Sequence, residues 1–127
     1  AYIGNQYHLE IFGEELFPDL LFLNRELNCM VVVELKKGAF KPAYIGQLQT
    51  YMKVLDDKVR KPHENPTIGI LLCKSANKAF VEYVIRDYNH PMGVATYKTA
   101  EDMSEELRNA LPDMDEMRKL LTDDENV

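Results

Sequence analysis

Eight residues limit the folds open to this chain more than any others: VVVELKKG, residues 31–38. Three β-branched residues in a row predict a buried strand. Glu34 and Lys36 then interrupt it, two residues apart, before Gly38 ends it. Side chains alternate along a strand, so Glu34 and Lys36 share a face. Opposite charges on an otherwise apolar strand are costly to bury unless something uses them. A fold for this sequence must therefore bring partners to that end of the strand.

The flanking sequence supplies them. LFPDLLFL, residues 16–23, reads as a second strand, with Pro18 confining it to a sheet edge or a strand start. The polar run Asn24 to Asn28 predicts a turn, so 16–23 and 29–36 form a β-hairpin. Partner numbers in that hairpin sum to about 52 to 54, and the central register sets Asp19 directly across from Glu34. One hairpin thus gathers Asp19, Glu34 and Lys36. Two carboxylates face to face repel unless a cation lies between them. A small set of hard oxygen ligands suits Mg²⁺ better than zinc or a calcium cage. The plainer alternative is a Glu34–Lys36 or Asp19–Lys36 salt bridge at a strand end.

A helix starts at Pro42, a residue favoured at the first helical position. Tyr44, Leu48, Tyr51, Met52 and Leu55 follow the spacing of one buried face. Gln47 and Tyr51 lie one turn apart at the edge of that stripe, where their polar tips can reach the charged end of the sheet. Taken separately, Tyr51 reads as a core aromatic and Gln47 as a solvated flank.

Elsewhere, residues 2–11 suggest a strand ending at Gly13, and 56–66 a polar loop bounded by prolines. TIGILLC, 67–73, is a central strand covered on both faces. Residues 76–87 form a helix with Phe80, Val81, Val84 and Ile85 inward, and 92–97 a last strand. The order β-β-β-α-β-α-β implies at least one parallel crossover and a mixed α/β sheet flanked by helices.

At 127 residues with 46% hydrophobic content the chain is one domain with a single core. The net charge of −6 resides in residues 101–127, which hold ten acids and three bases. This acidic tail carries two helical patterns, SEELRNAL and MDEMRKLL, beyond a domain spanning residues 1–100. The tail's acidity leaves a nucleic-acid partner open for the rest. There is no apolar run near 18 residues, so no membrane span is expected. Cys29 and Cys73 read as reduced core thiols, in keeping with a cytoplasmic protein. His8, His63 and His90 are too scattered for a local metal motif. The absence of an initial Met, with a strand at the very start, reads as a fragment.

Asp19, then Glu34-Leu35-Lys36, then Gln47-x-x-x-Tyr51, with Pro18-Asp19 supplying the first letters, resembles the PD-(D/E)XK nuclease superfamily. Residues 4–97 are similar more closely to the bacterial YhcG-like proteins. The resemblance implies a restriction-endonuclease-like αβββαβ core whose first helix lies before residue 1. It implies Mg²⁺ or Mn²⁺ on Asp19 and Glu34, with the Leu35 carbonyl as a further ligand. Lys36 would orient or activate the water, and Gln47 and Tyr51 would position the lysine, metal water or phosphate. The reaction would be DNA phosphodiester hydrolysis leaving a 5′-phosphate. A helical region upstream of the domain would bind DNA or a partner.

Lys37, Lys41 and Lys53 stand near the expected site as candidate phosphate contacts, and Lys58, Arg60 and Lys61 form a second cluster that reads equally as a solvated loop. Glu10 and Glu15 are close enough in sequence to Asp19 to add a metal ligand, or are simply exposed. Two other readings stay open: a catalytically inactive module binding nucleic acid or protein, and a fragment that pairs with a second copy through an open sheet edge.

Overall fold

The computed structural model describes residues 7–96 and the backbone of residues 2–5. In order, these form β1 (Tyr2–Asn5), β2 (Leu9–Ile11), β3 (Glu14–Leu16), β4 (Leu20–Asn24), β5 (Cys29–Leu35), α1 (Pro42–Lys58), β6 (Asn65–Cys73), α2 (Lys78–Ile85) and β7 (Met92–Thr96). Among the described residues a five-stranded sheet runs β1-β4-β5-β6-β7, and β2 and β3 form a separate two-stranded ribbon. β1, β4 and β5 pair antiparallel, while β5, β6 and β7 run parallel. The sheet is mixed, as expected, with two parallel crossovers. The helical patterns and acidic tail expected within residues 101–127 lie outside the described residues. Among the described residues no helix is long and apolar enough to cross a membrane.

β5 sits at the centre, and all seven of its residues are buried. That is why its valines need no polar alternation: both faces are covered. On one face Met30, Val32, Leu71 and Cys73 join Ile45, Leu48, Met52 and Leu55 of α1 and Val81 of α2. On the other, Leu20, Val31, Val33, Ile70 and Leu72 form a second cluster. Both helices lie on the first face. Right-handed crossovers that step the same way across a sheet give that result.

The β4–β5 turn fixes the register. Asn24 pairs with Cys29, closing a four-residue loop. Asn24 Oδ1 accepts from the Leu27 N–H at 2.9 Å, and Asn28 takes a positive φ of 51°. Asparagine tolerates both roles better than most residues. The same end of the sheet is tied to α1 by Asp56, whose Oδ1 accepts from the Thr67 N–H at 2.9 Å and the Thr67 hydroxyl at 2.7 Å.

Three expectations change. Residues 2–11 are two strands in different sheets, not one. β2 turns at Phe12 and Gly13, both with positive φ, straight into β3. A two-residue turn of that kind matches the twist of a hairpin. The strand expected over 16–23 is broken at Phe17-Pro18, and β4 begins only at Leu20. Proline lacks the N–H a ladder requires, so it separates the two strands. Finally, α2 buries only Val81 of the four residues expected inward, and Phe80 is 45% exposed. Phe80 instead meets the edge of the Phe40 ring.

Gly69 lies where β6 passes under α1. A β-carbon there would collide with the Met52 sulfur and stand 3.1 Å from Leu48 Cγ. Gly69→Ala is expected to destabilise the fold by about 1–3 kcal/mol, the usual cost of overpacking, read as a lowered urea midpoint at unchanged m-value.

Candidate active site

The ladder between β4 and β5 pairs Leu20 with Val33. One step further along the same register sets Asp19 opposite Glu34. There the two acids take over where ladder bonding ends. Glu34 Oε1 accepts from the Asp19 N–H at 2.9 Å, and Asp19 Oδ2 accepts from the Leu35 N–H at 2.9 Å. Each carboxylate thus holds the other strand's backbone. The exchange locks both side chains at the end of the hairpin and brings two acidic groups together.

Glu34 is only 2% exposed. Burial first, and then the charge of Asp19, push its carboxyl up to about 8. Lys36 opposes this weakly, its Nζ lying 3.9 Å from Glu34 Oε2. A buried carboxyl beside a second carboxylate gains from a nearby cation. The Leu35 N–H points to the Asp19 side, and in an extended residue the carbonyl points the same way. The donor set is therefore two carboxylates and a carbonyl, all hard oxygen. Such a set fits Mg²⁺ or Mn²⁺, which keep several waters and take few protein ligands. Among the described residues no group of three His, Cys, Asp or Glu comes together as a metal cluster.

Lys36 is aimed by the helix. Its Nζ donates to Gln47 Oε1 at 2.9 Å, and Gln47 Nε2 donates to the Tyr51 hydroxyl at 2.9 Å. The tyrosine oxygen accepts the amide N–H, which turns the amide carbonyl toward the lysine. Tyr51 is buried, and its hydroxyl is pushed up first by that burial and then by the charge of Glu34. Tyr51 therefore has its ring in the core and its hydroxyl beside Gln47. Asp19, Glu34, Leu35, Lys36, Gln47 and Tyr51 form one connected array.

Tyr44 joins them. Its spacing on α1 suggested a core position. The structure leaves it half-buried, with its ring face 4.7 Å from the Lys36 ammonium. The available signal was its place three residues before Gln47 and seven before Tyr51, on the same helix edge.

The remaining candidates separate by position. Lys37 and Lys41 are exposed on the connection from β5 to α1. That connection is tied to the loop after β6: the Lys74 N–H donates to the Gly38 carbonyl at 3.0 Å, and the Phe40 N–H to the Ser75 carbonyl at 2.8 Å. Lys53 is exposed two residues past Tyr51, about 200° around the helix, and faces away from the array. Glu10 and Glu15 pair with each other across the β2–β3 ribbon, and Glu15 meets His8 at 3.5 Å. Neither joins Asp19, because the break at Phe17-Pro18 places that ribbon in its own sheet. Arg60 and Lys61 close the loop after α1 through Glu64. That loop lies roughly 25 Å of helix away from the start of α1. Cys29 and Cys73 are free buried thiols. Burial raises the Cys73 thiol to about 11.

Comparison with known proteins bears on this arrangement. The family model described as the YhcG PDDEXK nuclease domain matches residues 1–112. Over 98 residues the chain is 32% identical to YhcG of Escherichia coli (strain K12), provisionally named a nuclease, covering 77% of this chain and 26% of that protein. The chain thus spans about a quarter of the length of this relative. The crystal structure of a repair endonuclease from Pyrococcus abyssi is similar at a TM-score of 0.47 and 18% identity, over 75% of this chain and 36% of that one.

The Glu34 carboxyl gives the metal-free protein a definite pH dependence. Its value of about 8 lies above the ordinary 4.5, so the folded state holds an extra proton between these limits. That stabilisation is complete below about pH 4.5 and is lost as the pH rises through about 8. In EDTA, unfolding free energy is expected to fall by on the order of 1–3 kcal/mol between pH 5 and 8. Glu34→Gln should flatten that slope in urea titrations at each pH.

Proposed function

The chain belongs to the YhcG PDDEXK nuclease domain family, and from that premise we propose that it is a metal-dependent nuclease domain hydrolysing phosphodiester bonds of DNA. The observation that carries this reading is the reciprocal exchange between Asp19 and Glu34, with the Lys36 ammonium held beside it by Gln47. A salt bridge alone would not need a second carboxylate forced against the first. DNA is the substrate class the sequence resemblance implies.

In this reading Asp19, Glu34 and the Leu35 carbonyl hold Mg²⁺ or Mn²⁺. When bound, such an ion polarises the phosphoryl oxygen and eases ionisation of water for in-line attack. Lys36 presents its N–H donors to the attacking water or to a phosphate oxygen. Gln47 fixes the direction of those donors, and Tyr51 fixes Gln47. The hairpin holds the carboxylates before substrate arrives, so little reorganisation is left for the reaction itself. Lys37 and Lys41 lie beside the array and contact the phosphate backbone. Lys53 takes no part. An upstream helical region and a second copy of the chain are the partners proposed for the longer protein.

The test is cleavage of labelled duplex DNA, single-stranded DNA and RNA with Mg²⁺, Mn²⁺ or EDTA. DNA should be cut only with metal. Asp19→Asn, Glu34→Gln and Lys36→Ala should each lower the rate at least a hundredfold, in line with loss of a charge-stabilising group. Unchanged cleavage in those variants would remove the assignment. DNA affinity should fall with salt, and Lys37→Ala and Lys41→Ala should each reduce the log–log salt slope by about one. Lys53→Ala should leave that slope unchanged.

A further inference from the structure

Lys36 has a difficulty that the proposed mechanism creates. Its acidic neighbour, Glu34, is also a proposed metal ligand. Once a divalent cation is bound by both carboxylates, the negative charge that would hold the ammonium is cancelled. A salt bridge to Glu34 alone would then release the lysine at the moment it is needed. Lysine has a flexible four-carbon stem, so nothing in its own covalent structure would hold it in place.

Among the contacts described for the ammonium, two do not depend on the carboxylates. One is the Gln47 carbonyl oxygen at 2.9 Å. The other is the face of Tyr44 at 4.7 Å from the ring centroid. An aromatic face attracts a cation through its quadrupole and carries no net charge, so it cannot compete for a metal. Both residues come from the first three turns of α1, which Ile45, Leu48 and Met52 fix in the core. Tyr44 itself packs against that core, half-buried, so its ring is held from behind while its face meets the lysine.

We propose that Tyr44 is a positioning residue for the nuclease reaction, holding the Lys36 ammonium in place when Asp19 and Glu34 are neutralised. The working group is the ring face, and the phenol hydroxyl is dispensable. Tyr44 and Gln47 divide the work. The amide sets the direction of one N–H, and the ring confines the stem and ammonium from another side. This inference rests on the nuclease reading for its catalytic consequence, but the restraint on Lys36 can be observed without catalysis.

The experiment combines NMR of ¹³C-lysine-labelled protein with kinetics on wild type, Tyr44→Phe, Tyr44→Leu and Glu34→Gln. Leucine keeps an apolar packing group, and thermal melts check that each variant folds. Protons above an aromatic face shift upfield, so the Lys36 ε-methylene signals should lie upfield of the other lysines. The shift should persist in Glu34→Gln and on addition of Mg²⁺. It should persist in Tyr44→Phe and vanish in Tyr44→Leu. In cleavage assays Tyr44→Leu should lower kcat roughly threefold to thirtyfold at unchanged KM, the range expected for a lost cation–π contact, and Tyr44→Phe should match wild type. A Lys36 signal with no upfield shift in wild type, or one lost on adding Mg²⁺ or in Glu34→Gln, would overturn the inference. So would full kcat in Tyr44→Leu. A wild-type protein that shows the shift but cleaves nothing would instead overturn the nuclease reading and leave the restraint on Lys36 established.

Discussion

The register of β4 on β5 is the constraint on which the rest depends. A slip of one residue would move every side chain of β4 to the opposite face. Leu20 and Leu21 could not then remain in their separate apolar clusters, and Asp19 would no longer meet Glu34. The register is set at one end by the Asn24–Asn28 turn and at the other by the carboxylate–amide exchange. The same alignment therefore completes the core and juxtaposes two acids. The proposed chemistry inherits its geometry from a packing requirement.

The electrostatic cost of that alignment is concentrated on Glu34. Its carboxylate is buried, sits beside another acid, and has its lysine neighbour at 3.9 Å, too far for a hydrogen bond. Two backbone N–H groups compensate part of this cost by binding the pair. The lysine's short contact is to neutral Gln47 instead. In a purely structural ion pair the opposite arrangement would be favoured, with the ammonium on the carboxylate. The observed one leaves the acids able to respond to an added cation.

Much of this was legible in the sequence. The Val31–Val33 run identified the central strand, and the length of the Asn24–Asn28 turn led to the central register that the ladder shows. Pro42 and the spacing of Leu48, Tyr51, Met52 and Leu55 located α1. The legible features share a cause: each is a local pattern with strong periodicity or a defined turn. The division of residues 2–18 into three short strands had no such pattern, because three- and four-residue strands are too short for alternation to register. Phe80 was misplaced because a helix of only eight residues, with one buried position, presents a weak stripe. Tyr44 was placed by period on the core face, and it does pack there. Its second contact depends on where the Lys36 stem ends, and helix periodicity carries no information about that.

The order of the elements along the chain has a consequence during synthesis. Asp19 through Tyr51 span 33 consecutive residues, all made before β6. Their mutual contacts are short in sequence, which favours early formation. Yet β5 pairs with β6 along most of its length, and the loop carrying Lys36 is hydrogen-bonded to β6 at Leu72 and to the residues just beyond it. A ribosome-bound chain therefore carries every group of the array while lacking the strand that braces it. Emergence of residues 65–75 is the step at which a loosely gathered set of side chains becomes a rigid one.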